Sequence, residues 1–208
     1  MESRIRHSVV LLTGSNFRGK EQILQRAAER IAEQVGPIDK ASQIHYTEAW
    51  GFSCEEEFAN QALMVGTDLS ADEVLMKTQG IERELGRDRK AEAAEKAATG
   101  ERYASRVVDI DIIFYDDIVV DRCDLKLPHP LMHEREFVLR PMLEVAPAWR
   151  HPIVGLTVEE MLEGILNSSF KITRDKLSFP PRGSAKSVNT LCSRSAASVQ
   201  NSKFKIQK

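Results

Sequence analysis

The sequence predicts a mixed α+β domain in which strands and helices alternate along the chain. Two stretches carry apolar residues at intervals of three and four positions, as on the buried face of a helix, and short runs rich in valine, isoleucine and leucine lie around them. At 208 residues, of which 42% are hydrophobic and 29% charged, the chain is long enough to bury one full core. We therefore expect a single globular domain with an appended segment.

The first half of the chain is predicted to fold as strand, helix, strand, strand and helix. The predicted bounds are His7–Thr13, Lys20–Val35, Ala41–Tyr46, Phe58–Val65 and Ser70–Gly86. Ile23, Ala27 and Ile31 give the first helix its buried stripe, because residues four apart lie on the same helix face. Ser70 and Glu73 have the spacing of a capping box, which predicts the start of the second helix.

The second half is predicted to begin with a strand over Arg106–Tyr115, followed by a turn at Asp116–Asp117 and an extra hairpin strand at Ile118–Val120. Two C-terminal helices are predicted next, one near Pro141–Val145 and one opened by a second capping box at Thr157–Glu160. The order β-α-β-β-α-β with these additions is that of the split-βαβ, ferredoxin-like arrangement.

Charge divides the chain into two predicted parts. From residue 167 onward there are nine basic residues and one acidic residue, a net charge of +8, so residues 1–166 carry −10. We expect residues 1–166 to form the folded domain and residues 167–208, which are serine-rich and poor in large apolar residues, to be a disordered tail. RNA binding by this tail is not favoured, because no aromatic residues alternate with its charges to stack on bases.

The cellular setting is predicted from what the sequence contains. No apolar run approaches the roughly 18–20 residues that a membrane span needs. The three cysteines, Cys54, Cys123 and Cys192, are odd in number and widely spaced. This pattern favours a reducing cytoplasm over a disulfide framework or a zinc site.

The strand over Arg106–Tyr115 contains two aspartates in an otherwise apolar run. Asp109 and Asp111 are two residues apart, so their side chains point to one face of the strand, roughly 6.5–7 Å from each other. Two carboxylates this close repel each other and are costly to bury. A divalent cation relieves both effects, and oxygen ligands on a rigid strand suit Mg²⁺ that carries a phosphate substrate. For a D-x-D pair taken alone, the alternative to a metal site is an edge strand with one face exposed to solvent.

Basic residues lie on either side of the insertion that precedes this strand. Arg87, Arg89 and Lys90 follow the second helix, and Arg106 begins the strand. The planar guanidinium group of arginine suits phosphate oxygens, so these residues are candidates for closing over a triphosphate. A basic helix end also stabilises the helix dipole, but that effect does not need all of them.

The order of motifs closely resembles that of the 6-hydroxymethyl-7,8-dihydropterin pyrophosphokinases of folate biosynthesis. The motifs are Gly14-Ser15-Asn16, the segment Gln79–Lys90, the R-x-x-D-I-D-I-I segment from Arg106 to Ile113, Leu127–Pro130 and His133–Phe137. The resemblance extends from about Val9 to Leu166, and the R-x-x-D-I-D-I-I segment is its most specific part. It implies transfer of the pyrophosphoryl group of ATP to the hydroxymethyl group of the pterin, with two Mg²⁺ ions and with release of AMP.

The resemblance also implies roles for individual residues. The candidate ATP-contacting residues are Gln79, Arg87, Arg89, Lys90, Arg106, Ile112, His129 and Arg135, of which Arg87 is added for its place in the basic cluster. The candidate pterin-binding residues are Thr47, Glu48, Trp50, Phe58, Asn60, Tyr103 and Phe137. The candidate catalytic residues are Arg89, Arg106, Asp109 and Asp111, and the two aspartates are the candidate metal ligands. Glu82 falls on a polar position of the helix beside the site.

The residue types suit a pterin. A flat heterocycle with amide-like edges should be covered by aromatic rings and bonded by a carboxamide or by backbone groups. Trp50, Phe58 and Phe137 supply rings, although each of them taken singly fits an ordinary core as well. Asn60 is the more telling residue, because an amide inside an apolar strand must find hydrogen-bond partners.

Two other functions fit parts of the sequence. A nucleotidyltransferase also combines a Gly-Ser turn with a D-x-D strand, but there the two motifs lie close together, whereas Gly14 and Asp109 are far apart here. A ferredoxin-like RNA-binding module would use the basic tail, but paired aspartates on its sheet would repel phosphates unless a metal is bound. We therefore expect a cytoplasmic, monomeric, ATP-dependent transferase with small-molecule substrates and without a membrane or nucleic-acid partner.

Removal of Ser168–Lys208 is predicted to leave the melting temperature and the turnover rate nearly unchanged, because that segment contains few large apolar residues to bury. Thermal unfolding and steady-state rates of the full and truncated chains measure the effect. A truncated chain that fails to fold would contradict a domain boundary near residue 166.

Overall fold

The structure, a computed structural model, describes residues 6–47, 57–88 and 107–167. The strands are β1 (His7–Ser15), β2 (Ile38–Ala41), β3 (His45–Thr47), β4 (Phe58–Thr67), β5 (Asp109–Tyr115), β6 (Val120–Asp121) and β7 (Lys126–Leu127). The α-helices are α1 (Lys20–Gln34), α2 (Ala71–Glu84), α3 (Glu136–Val145) and α4 (Val158–Leu166), with a 3₁₀ turn at Met132–Glu134. The predicted mixture of helices and strands is confirmed.

One antiparallel sheet forms the centre of the molecule. β1 pairs with β4 on one side and with β5 on the other, and β4 also pairs with β2 and β3. The prediction of one continuous strand over Ala41–Tyr46 is wrong. The hydroxyl of Ser42 accepts the N–H of Ala62 at 3.0 Å, a bond that a regular strand would make with its backbone carbonyl. The pairing with β4 also shifts by one residue between the Ala41–Leu63 pair and the His45–Asn60 pair.

Helices cover both faces of this sheet. Val9 and Leu11 of β1 pack against α1 and α2, whereas Val10 and Leu12 pack against α3 and α4. The alternation follows from the two-residue period of a strand, which sends successive side chains to opposite faces. Both faces of β1 are therefore buried, and β1 is the central strand of the fold.

The helix starts follow the predicted capping boxes. The N–H of Ser70 donates to the Glu73 carboxylate at 2.8 Å, and the N–H of Thr157 donates to the Glu160 carboxylate at 2.7 Å. Helix α3 is longer than the predicted helix near Pro141–Val145, because its buried apolar stripe outweighs the N–H that Pro141 lacks. None of the helices in the described ranges is long and apolar enough to cross a membrane.

The hairpin predicted directly after β5 is wrong in its pairing. The chain does turn at Asp116, whose φ is 45°, but β6 pairs with β7 in a separate two-stranded sheet. Asp116 instead bonds back to β1, accepting from the N–H of Ser8 at 2.8 Å and from the ring of His7 at 2.6 Å. On the other edge of β5, the carbonyl of Ile113 accepts the N–H of His129. The loop at His129 therefore lies where the partner strand of a hairpin would pair.

Two buried histidines pack under α4. His133 and His151 are each 3% exposed, and their ring centres lie 6.0 Å apart at nearly a right angle. The Nδ1 atom of His151 accepts the N–H groups of Ile153 and Val154 at 3.2 and 3.3 Å. The pKa of His151 is lowered to about 4, mainly by burial and to a smaller extent by the neighbouring His133.

His151 is predicted to make the fold acid-sensitive. Below its ordinary pKa of 6.5 the unfolded chain gains a proton that the folded chain resists down to about pH 4. The free energy of unfolding should therefore fall with pH across that window, by roughly 3 kcal/mol in total. His151→Asn keeps an acceptor for the two N–H groups and does not titrate, so its stability should be lower at pH 7 but fall less on acidification. Denaturant unfolding at pH 7 and pH 4.5 measures this, and identical pH dependences would refute it.

Candidate active site

Asp109 and Asp111 lie on one face of β5, as the strand period predicts. Asp109 is opposite Gly14 of β1, and Asp111 is opposite Leu12. Leu12 belongs to the core under α3 and α4, so both carboxylates lie on the α3 side of the sheet. The Asp109 side chain is 24% exposed, which leaves it accessible from solvent.

Three residues form a row across the sheet at this level. Gly14 lies between Asn60 of β4 and Asp109 of β5, and directly opposed residues of antiparallel strands share one face. A Cβ atom placed on Gly14 would lie 3.0 Å from Oδ1 of Asn60. Because Gly14 has no side chain, the amide of Asn60 can lie close over β1, and the gap is defined as the region between this amide and the Asp109 carboxylate.

Strand β3 fixes the amide side of this gap. The Nδ2 atom of Asn60, which is 5% exposed, donates to Oγ1 of Thr47 at 3.1 Å. Thr47 is directly opposite Phe58, so all three side chains lie on the α3 side of the sheet. The structure thus brings together three of the predicted pterin-binding residues.

A buried ion pair lies beside the carboxylate side of the gap. Glu82 of α2 is 1% exposed and Arg87 is 8% exposed. Oε1 of Glu82 accepts from Nη1 of Arg87 at 2.6 Å and from the N–H of Ile110 at 3.0 Å. The same Nη1 atom also bonds Oδ1 of Asp109. Arg87 therefore ties α2 to the D-x-D strand and offsets part of the negative charge of Asp109.

The loop after β7 brings a histidine and an arginine to the same region. The N–H of His129 donates to the carbonyl of Ile113 at 3.0 Å, which holds the loop on the edge of β5. Burial lowers the pKa of His129, Arg135 lowers it further, and Asp109 acts in the opposite direction. His129 is therefore a neutral ring near pH 7, within electrostatic reach of both Arg135 and Asp109.

Arg135 and Phe137 lie side by side at the start of α3. The guanidinium carbon of Arg135 is 5.8 Å from the centre of the Phe137 ring, which is a cation–π distance. A guanidinium group and an aromatic surface are thus adjacent on the α3 side of the sheet.

Two predicted ATP-contacting residues lie further from the gap. Gln79 is half-buried on α2, one turn before Glu82. Ile112 is 5% exposed and packs in the core on the α1 side, so its side chain faces away from Asp109 and Asp111. Any contact of Ile112 with a nucleotide would have to use its backbone.

Six predicted site residues lie outside the described residues. They are Glu48, Trp50, Arg89, Lys90, Tyr103 and Arg106. Within residues 6–47, 57–88 and 107–167, no three His, Cys, Asp or Glu side chains are grouped so as to hold a metal. Within those ranges, therefore, Asp109 and Asp111 are the carboxylates that the sequence offers to a cation, and they do not complete its coordination by themselves.

The resemblance places Glu82 on a polar position of the helix beside the site but gives it no partner, and the structure supplies one in Arg87. Glu82 follows Thr78 by four residues, and Thr78 is part of the buried stripe of α2. A carboxylate on the buried face of a helix must find a cationic or N–H partner, and that spacing is the sequence signal for it. Which partner it finds, Arg87 or another cation, is decided only when α2 meets β5.

A family of known proteins matches most of this chain. A family model described as 7,8-dihydro-6-hydroxymethylpterin-pyrophosphokinase (HPPK) matches residues 10–147. A Porphyromonas gingivalis protein named 2-amino-4-hydroxy-6-hydroxymethyldihydropteridine pyrophosphokinase is 37% identical over 145 residues, which are 69% of this chain and 93% of that protein. The Aquifex aeolicus protein of the same name is 33% identical over 153 residues, which are 74% of this chain and 89% of that protein.

Solved structures agree at the level of fold. Wild-type Plasmodium falciparum HPPK-DHPS superposes with a TM-score of 0.57 and 13% identity, covering 80% of this chain and 46% of that longer chain. Identity this low supports the fold alone. The family model, however, spans most of this chain, and both curated relatives match over nearly their whole length. This chain therefore belongs to the 7,8-dihydro-6-hydroxymethylpterin-pyrophosphokinase family.

Proposed function

We propose that this chain transfers the pyrophosphoryl group of ATP to the hydroxymethyl group of 6-hydroxymethyl-7,8-dihydropterin, releasing AMP, as a step of folate synthesis. The names of the relatives from Porphyromonas gingivalis and Aquifex aeolicus support this reaction. The structural observation that carries the proposal is the row Asn60–Gly14–Asp109, in which an amide and a carboxylate flank a residue without a side chain. Family membership leaves the nucleotidyltransferase and RNA-binding alternatives without support.

Asp109 and Asp111 are proposed to hold Mg²⁺, and the resemblance implies two ions. Their donor set fits a hard cation, because both ligands are carboxylates on one face of a strand that is hydrogen-bonded along β1. Mg²⁺ bound there would neutralise charge on the phosphates of ATP. The residues of this chain then have to orient the triphosphate, bind the pterin and exclude water.

Arg87 is proposed to contact the phosphates, with Glu82 holding it in place. Its guanidinium is fixed between Glu82 and Asp109 in the structure. A guanidinium that is already oriented loses little entropy on binding a phosphate. His129 and Arg135 are proposed to contact the triphosphate from the edge of β5 that is not paired with β1. The remaining proposed ATP contacts are Gln79, Arg89, Lys90, Arg106 and the backbone of Ile112.

The pterin is proposed to bind on the amide side of the gap. The amide of Asn60 suits the hydrogen-bonding edge of the heterocycle, and the rings of Phe58 and Phe137 suit its faces. Thr47 fixes the orientation of Asn60 through the bond at 3.1 Å. This arrangement would point the hydroxymethyl group of the pterin toward the phosphates held near Asp109. Glu48, Trp50 and Tyr103 are proposed to complete the pocket on the strength of the resemblance.

We infer that the sheet has the ferredoxin-like plan with its second strand divided into β2 and β3. If those two are counted as one strand, the strand order is 2-3-1-4 with every neighbour antiparallel, which supports that plan. Residues 1–166 are proposed as the catalytic domain and residues 167–208 as a basic tail. A cytoplasmic monomer is proposed from composition and cysteine content.

The reaction is tested by its products. The purified chain with ATP, Mg²⁺ and 6-hydroxymethyl-7,8-dihydropterin should form AMP and the pterin diphosphate in equal amounts. Formation of ADP would instead indicate transfer of a single phosphoryl group and would contradict the proposal. The absence of turnover with an authentic pterin would contradict it as well.

Asp111→Ala and Asp109→Ala are each predicted to lower turnover by at least about a hundredfold, because each removes one of the two protein ligands of the metal. Asp111→Ala should stay folded because it relieves repulsion between the carboxylates, whereas Asp109→Ala also removes a partner of the buried Arg87 and should melt at a lower temperature. Asp117→Ala removes an exposed carboxylate from the turn after β5 and serves as the control. Steady-state rates and thermal melts separate the effects, and near-normal turnover of Asp111→Ala would rule out the metal assignment.

Glu82→Ala is predicted to lower the free energy of unfolding by roughly 3 kcal/mol, because it leaves the Arg87 cation buried with one fewer partner. Glu82→Gln keeps an oxygen for the N–H of Ile110 and should cost less. Glu84→Ala, on the exposed face of the same helix, is the control and should cost within about 1 kcal/mol. Urea unfolding measures all three variants. Equal costs for Glu82→Ala and Glu84→Ala would show that the buried pair adds nothing to stability.

A further inference from the structure

We propose that Glu144, near the C-terminus of α3, is a positioning residue for the pterin side of the site. It holds strand β3 in place and thereby maintains the hydrogen bond between Thr47 and Asn60. The inference rests on the proposed function, in which those two residues bind the pterin.

Glu144 bonds the start of β3 with both of its oxygens. Its Oε2 atom accepts the N–H of Gln43 at 2.7 Å, and its Oε1 atom accepts from Nε2 of His45 at 2.6 Å. The pKa of Glu144 is lowered mainly by the hydrogen bond from the Gln43 N–H and to a smaller extent by His45. The group is therefore an anion near pH 7, and both bonds are charge-assisted.

Strand β3 is short and lies at an edge of the described sheet. It is three residues long, and among the described strands only β4 pairs with it. Ser42, in the connection from β2, is bonded to β4 through its backbone and its hydroxyl, and Gln43, the next residue, donates its N–H to Glu144. At this edge of the sheet no further strand is paired among the described residues, and the Glu144 carboxylate accepts the backbone N–H of Gln43 there.

The register carries the effect of Glu144 to the site. His45 is directly opposite Asn60, so the row across the sheet is His45, Asn60, Gly14 and Asp109, one residue from each of four strands. Thr47 follows His45 by two residues and lies on the same face. A shift of β3 along or away from β4 would therefore move Thr47 relative to Asn60.

The opposite face of β3 is held more weakly. Tyr46 is 49% exposed, and its hydroxyl donates to Glu21 of α1 at 2.9 Å. Both contacts are solvent-exposed, but the Tyr46 bond joins two side chains only, whereas Glu144, whose side chain is 38% exposed, bonds a backbone N–H as well as a side chain. Removal of Glu144 should therefore loosen β3 even when the contact of Tyr46 remains.

Helix α3 also connects the proposed phosphate-binding side of the site with strand β3 on the pterin side. Its first turn carries Phe137 next to Arg135, and its last turn carries Glu144. Val138 and Met142 bury the helix against the sheet, so it acts as a rigid spacer about 15 Å long. The proposed phosphate-contacting Arg135 and strand β3 are thus attached to opposite ends of one element.

The test compares Glu144→Ala with Glu163→Ala, which removes an exposed carboxylate from α4. In Glu144→Ala, hydrogen exchange of the amides from Gln43 to Thr47 should be at least roughly fivefold faster. The Kd of the pterin should rise about tenfold, and the Kd of a non-hydrolysable ATP analogue should change less than about twofold, because Glu144 acts on the pterin side only. Glu144→Gln retains an acceptor for Gln43 and should recover part of the pterin affinity.

Two outcomes would overturn the inference. One is a Glu144→Ala protein whose amide exchange and pterin affinity match those of Glu163→Ala. The other is an equal loss of affinity for the pterin and the ATP analogue together with a lower melting temperature, which would indicate a general structural role. If the wild-type chain bound no pterin, the proposed function would fail, whereas the exchange rates would still decide whether Glu144 holds β3.

Discussion

The pairing of β1 with both of its neighbours is the constraint on which the site depends. Nine residues of β1 are opposed by β4, and six of them are also opposed by β5. This double register brings Asn60 and Asp109, which are distant in sequence, to either side of Gly14. A slip of one residue in either pairing would send one of these side chains to the opposite face. The alternation within β5 opposes such a slip, because it would turn Asp109 and Asp111 toward the core under α1 and α2 and would turn Ile110 and Ile112 away from it.

The charges around this row are arranged at some cost to stability. Glu82 and Arg87 are both buried, and a buried ion pair is seldom more stable than apolar side chains of the same volume. The buried ion pair is explained if Arg87 has to bond both Asp109 and a phosphate of the substrate. Glu82 also accepts the N–H of Ile110, so one carboxylate fixes both the arginine and the strand that carries the aspartates. Stability and the proposed chemistry therefore depend on the same buried group.

The site is assembled from elements that reach it from opposite sides of the sheet. Helix α2 contributes Glu82 and the adjoining Arg87 from the α1 side, whereas α3 approaches from the other face with Arg135 and Phe137. The backbone of β5 lies between them and joins the two sets. The proposed positioning role of Glu144 extends the same logic to the edge of the sheet. Each substrate would then be held by groups whose separation is set by rigid helices and by strand register.

The sequence by itself determined the features that depend on local spacing. Period-two alternation placed Asp109 and Asp111 on one face, and the two capping boxes, beginning at Ser70 and Thr157, marked helix starts. The motif order also identified the family. These signals lie within a few residues of chain, where geometry is nearly fixed by the backbone.

Tertiary structure decided everything that required distant residues to meet. The Ser42 hydroxyl replaces a backbone acceptor for the N–H of Ala62 between β2 and β3, and β6 pairs with β7 while the loop at His129 bonds the edge of β5. Glu144 meets Gln43 across 101 positions of chain. Such contacts are chosen by how helices and strands pack against one another, and no pattern of neighbouring residues encodes that choice.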